Sequence, residues 1–186
     1  MNRKRILWIT QTAIFIALLV SAQIFTQPFG QFITGSSVNF ILVAACIFIG
    51  LPAAITVSVV SPVLAFIITG RPVFPVLIPF VMAGNTVLVV AVHLIFAKSY
   101  VITAHFSLPR AGAAVVIGSV LKFLVLWVGV VHVALPFLIA EILPPQVNAM
   151  TLMFSWPQLV TALIGSGMAM IFAPLLRTAI RGSRAT

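Results

Sequence analysis

Long apolar runs, parted by short clusters of Pro, Gly and polar residues, set the pattern of this chain. A helix needs ~20 apolar residues to cross a ~30 Å hydrocarbon core, and 186 residues supply about six such spans. They fall at about 6–26, 37–49, 53–69, 75–97, 111–135 and 150–176. Gln27 to Ser37, rich in Pro, Gly, Gln, Ser and Thr, reads as a loop, and Gly50, Leu51 and Pro52 as a sharp turn. Gly70, Arg71 and Pro72 end the third run. Lys98 to Arg110 reads as an interfacial segment between two basic residues. The last span starts near Val147 or restarts at Ser155, where Pro157 is tolerated in the first turn. The expected fold is an all-α membrane protein, a single bundle of six transmembrane helices.

Polar residues inside these runs are the exceptions that carry information. Lys122 lies about halfway along the run from Ala111 to Leu135. A charge at that depth costs about 2.5 to 3.5 kcal/mol on insertion scales, so it turns to the protein interior or a wet cavity. Helical spacing puts Gly118, Lys122, Val125 and Gly129 on one stripe with Trp127 pointing elsewhere. Two readings stay open for Lys122: a scaffold contact to loose backbone carbonyls, or a cation on a substrate pocket. Asn85, inside the fourth run, either bonds a neighbouring helix or contacts a ligand. Ser58, Ser61 and Pro62 sit at the centre of the third run, where a kink or a freed carbonyl is expected. On the last span Gln158, Thr161, Ala162, Gly165 and Ala169 share one face, which must look inward.

Composition confirms the class and charge orients it. Hydrophobic residues make up 62% of the chain and charged ones 6%, against about a quarter charged in soluble domains. The formal charge of +9 is distributed as in membrane proteins rather than as a nucleic-acid footprint. Arg3, Lys4, Arg5, Lys98, Arg110, Arg177, Arg181 and Arg184 fall on one side of the six-span topology and Arg71 on the other, which predicts cytoplasmic termini. A cleavable leader ending at Val20, Ser21 and Ala22 is the rival reading of the first run, and the spans that follow weigh against it. The single cysteine, Cys46, rules out an internal disulfide.

Several chemistries are missing from the spans. None contains Asp or Glu, the usual intramembrane proton carriers; Glu141, the only acidic residue, falls in the stretch between the last two spans. His93, His105 and His132 fall on separate segments at spacings unsuited to a metal or a catalytic pair. No phosphate-cradling loop is present, so ATP that drives transport must be hydrolysed by another chain. The chain is expected to be no enzyme and to carry no cofactor or metal.

On the first helix Ala13, Ala17 and Ser21 recur every fourth residue, a groove of small side chains that another helix can approach closely. Together with the short basic N-terminus, the six spans and the stretches SPVLAFIITG, IPFVMAGN and FSWPQLVTALIG, the layout resembles the S-component of an energy-coupling factor (ECF) vitamin transporter across nearly the whole chain. The resemblance implies a multi-pass protein of the bacterial cytoplasmic membrane that binds a small water-soluble vitamin or precursor. Its small-residue face would dock on an ECF coupling subunit driven by two ATPase subunits. The resemblance further implies an outward-open pocket, for which Lys122, Asn85, Trp156 and Gln158, with Asn39 and Gln31, are the candidates. The signatures of the thiamine, riboflavin and biotin members are not seen, which leaves the substrate open. Two other classes compete: a structural or assembly protein, and a self-sufficient facilitator or channel.

Overall fold

The structure is a computed structural model that describes residues 2–103, 105–139 and 143–182. Glu141 and Arg184 lie outside them. Among the described residues every regular element is helical: α1 (Arg3–Thr26), α2 (Gln31–Phe48), α3 (Leu51–Thr69), α4 (Ile78–Val92), α5 (Lys98–Thr103), α6 (Leu108–Leu126), α7 (Pro144–Met153) and α8 (Trp156–Gly182). α4 runs into α5 through a π-wound stretch, His93–Ala97, and α6 continues with π winding over Trp127–Leu138. Six helical stretches are long and apolar enough to cross a membrane, from 18 residues (Gln31–Phe48) to 32 (Pro144–Leu175). The chain is a multi-pass, all-α membrane protein. Six is an even number of spans, which puts the start of α1 and the end of α8 at the same end of the bundle.

The connections are short where glycine permits them. Gly50 takes φ 109° between α2 and α3, and Gly70 closes α3 in the left-handed conformation, its N–H donating to the Phe66 carbonyl. The first loop is shorter than the residue pattern suggests: Gln31 to Ser37 already belongs to α2. Polar residues do not break that helix because their hydroxyls bond back along it, Thr34 to the Gly30 carbonyl (3.1 Å) and Ser37 to that of Ile33 (2.9 Å). The same device hides Thr12, Thr26, Ser58 and Thr69 within their own helices. The break is at Gly30, with φ 87°. Nor does Pro136 end the fifth span, since π winding carries it to Leu138. The last crossing is split: α7 stops at Phe154, and α8 starts at Trp156 with Pro157 in its first turn.

Two packed regions divide the molecule along its length. Near the termini, Leu42, Val43, Cys46, Val57, Val89, Val92, Phe96 and Ala114 form a continuous buried core from α2, α3, α4, the π-wound stretch after it and α6, and Ala169 and Ala173 extend it onto α8. At the opposite end a smaller core joins Leu77 to Leu126, Val130, Ala134 and Phe154. α8 lies most closely on α2, and its predicted inner face, Gln158, Thr161, Ala162, Gly165 and Ala169, is buried. Gly165 makes that approach possible, because a Cβ there would collide with the Ser36 carbonyl oxygen and stand 2.7 Å from the Asn39 Cβ. α1 is the peripheral helix: it touches α2 and α3, and only Thr12, Leu19 and Val20 of its residues are buried.

Overpacking a tight helix contact costs about 1–3 kcal/mol. Gly165→Val is therefore expected to lower the thermal unfolding temperature of the detergent-purified protein by several degrees. Gly167→Ala, where an added Cβ meets nothing within 4 Å, should leave it unchanged or raised.

Candidate functional site

Three helices meet at one ammonium. Lys122 on α6 donates from Nζ to Asn39 Oδ1 on α2 (2.6 Å) and to Asn85 Oδ1 on α4 (2.7 Å). All three side chains are buried, with 3%, 0% and 2% of their surface exposed. Close packing sets this geometry: Gly165 lets α8 press against α2 beside Asn39, and Gly84, next to Asn85, faces Leu126 of α6 with no room for a Cβ.

The protonation chemistry fixes how the amides are turned. A lysine ammonium has three N–H donors and no acceptor, so both asparagines must present oxygen to it and send their nitrogens elsewhere. The Asn39 Nδ2 group is buried with no partner. As an ammonium, Lys122 carries a third proton for which no acceptor stands among the described residues. Two neutral amide dipoles solvate the cation but leave its unit charge uncancelled, and no carboxylate stands among the described residues.

This cluster lies on the wall of a cavity of about 210 Å³ in the half of the bundle away from the termini. Gln23, Gln27, Gln31 and Thr34 line one side and Pro62, Ala65 and Thr69 another. Met150, Met153 and Phe154 supply an apolar flank, and Arg71 and Val73 form an exposed rim. Gln158 also lines it, and its Nε2 donates to the Met153 carbonyl (3.1 Å), tying α7 to α8. Gln23 Oε1 is buried without a donor. Toward the termini the cavity ends at Lys122, where the continuous core takes over.

Five of the six candidates from the sequence, Lys122, Asn85, Asn39, Gln31 and Gln158, come together on this lining. Trp156 does not join them: its side chain is 53% exposed and packs on Phe32, ring centroids 5.6 Å apart. Helix geometry explains the difference, since two residues turn about 200° and an inward Gln158 sends Trp156 out. The small residues Ala13, Ala17 and Ser21 are exposed on the outer face of α1, so they do not serve packing within the chain. Sequence reasoning missed Arg71, Gln23 and Gln27 on the lining. The available signal was the amide at every fourth position, Gln23, Gln27 and Gln31, running from the end of one span into the next.

No protein-family model matches this chain, and neither does any curated protein or solved structure.

Removing one member of the cluster orphans the others. Asn85→Leu, Asn39→Leu and Lys122→Met are each expected to cost about 1–3 kcal/mol, the penalty for a buried polar group without its partner. The triple replacement, which removes every polar member at once, should recover most of that loss in the same thermal unfolding measurement. Costs that simply add would show that the three side chains do not act as a unit.

Proposed function

We propose that this chain is the substrate-binding membrane subunit of an uptake system, taking a small water-soluble vitamin or vitamin precursor and energised by a separate ATP-hydrolysing module. The observation that carries the reading is the cavity, which lies in the half away from the termini, sets a few amides and the Lys122 ammonium in a mostly apolar lining, and stops at Lys122. A channel needs a continuous path, and a packed core fills the other half of the bundle. The volume of about 210 Å³ lies below the ~300–1,000 Å³ of drug-sized sites, which fits a small solute.

The charge distribution favours a cavity open to the outside of a bacterial cell and termini in the cytoplasm. Resemblance to ECF S-components supplies the partner: a coupling subunit with two ATPases, docked on the bare small-residue face of α1. That face is exposed, belongs to the least embedded span and lies apart from the cavity lining, as a docking surface requires. An assembly-protein role would leave the open cavity with its unpartnered polar atoms without a use.

Native mass spectrometry of the gently purified protein tests the binding role through the small molecule it retains. Loss of mass to the bare chain on mild activation is the expected result, and a bare chain from the outset counts against the proposal. Coupling is tested on α1. Ala13→Trp and Ala17→Trp are expected to preserve insertion and ligand retention while abolishing co-purification with an ECF module, because a bulky ring holds the partner helix away. Normal assembly of both variants would remove α1 as the docking face.

A further inference from the structure

A buried cation with no anion beside it among the described residues invites one from outside the chain. The Lys122 ammonium is held by two neutral oxygens and keeps one N–H without an acceptor among the described residues. Asn39, fully buried on the same lining, keeps an amide nitrogen with no acceptor among the described residues. These donors belong to two groups that are themselves joined at 2.6 Å, so they sit side by side. Arg71 adds a second cation at the exposed rim, and no acidic side chain lines the cavity among the described residues. The flank of Met150, Met153 and Phe154 is apolar.

We infer that the cavity takes a small monocarboxylate with an apolar body, its carboxylate seated on the Lys122 ammonium and the Asn39 amide nitrogen. The inference rests on the reading of this cavity as the solute site and adds the chemical class. Charge matching selects the headgroup: one carboxylate carries one negative charge and two acceptor oxygens, against one fixed cation and two adjacent unpaired donors. A phosphate brings up to two charges and more acceptor oxygens than this wall can satisfy. The pairing discriminates against the uncharged amide of the same acid, which offers an N–H₂ where an acceptor is wanted. Arg71 at the rim attracts the same anion during approach.

The test uses the purified full chain in lipid nanodiscs, freed of retained solute, with no coupling module. Thermal unfolding is followed with acetate, hexanoate, benzoate and 3-phenylpropionate, each matched with its primary amide, and with inorganic phosphate. At least one of the larger carboxylates is expected to raise the unfolding temperature where its amide does not, with an affinity roughly tenfold or more above that amide. Asn39→Asp tests the seat without removing the lysine: the new carboxylate occupies the position of the amide and neutralises Lys122 from within. The variant is expected to unfold at a higher temperature without ligand and to lose the response to carboxylates, and Lys122→Met to lose it as well. Three results overturn the inference: no carboxylate exceeding its amide, phosphate exceeding every carboxylate, or an undiminished response in Asn39→Asp. Because the readout is binding by the isolated chain, failure of the coupling proposal leaves it intact. A response to amides and carboxylates alike would keep a binding subunit and reject only the carboxylate.

Discussion

A single unneutralised ammonium, held about halfway through a membrane-spanning bundle, constrains everything around it. Lys122 cannot face lipid at that depth without a cost of several kcal/mol, and it has no carboxylate within the described residues to pair with. What it has is two asparagine oxygens from two other helices, at 2.6 and 2.7 Å. Hydrogen bonds to a charged group contribute about 1.5–3 kcal/mol each, enough to offset much of the burial penalty. Both must be kept, so α2, α4 and α6 are fixed relative to one another at this level. Gly165 and Gly84 then follow as requirements: without them α8 could not press on α2 beside Asn39, nor α4 approach α6 beside Asn85.

The level of Lys122 is also where the bundle changes character. Toward the termini the bundle is packed with apolar side chains, Leu42, Val57, Val89, Phe96 and Ala114 among them. Away from the termini the helices separate, and amides, Thr34 and Arg71 face the space between them. The winding of the fifth span changes beyond this level too: from Trp127 onward it is π, with more residues per turn than the α-helix below. Pro136 cannot donate to an α ladder, so irregular winding in that stretch is built into the sequence. Such backbone is tolerated at membrane depth only where protein or a wet cavity satisfies it, and here Leu77, Phe80 and Phe154 pack around it.

How much of this was legible in the sequence depends on the residue. The six spans were, because apolar length is a direct consequence of bilayer thickness. Lys122 and Asn85 announced themselves as polar residues with no lipid-compatible exit, and helical spacing correctly turned Gln158 and Gly165 inward. Asn39 was placed near the outer end of a short second span, and only the back-bonded hydroxyls of Thr34 and Ser37, which lengthen α2, set it a full two turns inside the helix. Trp156 was drawn to the pocket by its chemistry, but its angular position beside Gln158 excludes it. Arg71 looked like an orientation charge because sequence gives loops no coordinates, and its place on the rim follows from how α3 and α4 pair.

The same ammonium bears on how a bound solute could ever leave toward the termini. On the proposed reading, release to that side requires α2, α4 and α6 to part below the cavity, which breaks the hydrogen bonds of Lys122 as well as the core beneath it. Stripping one partner from a buried charge costs about 3–5 kcal/mol. At roughly 4 kcal/mol the parted state is populated about one part in a thousand, before any core contact is counted. Nothing within the described residues stores or delivers that energy. A seated anion deepens the trap, since it adds a further bond to the same ammonium. On that reading, the tighter the cavity holds its solute, the more its release would depend on work done from outside the chain, and α1, peripheral and bare on its small-residue face, is the helix through which such work could enter without disturbing the Lys122 cluster.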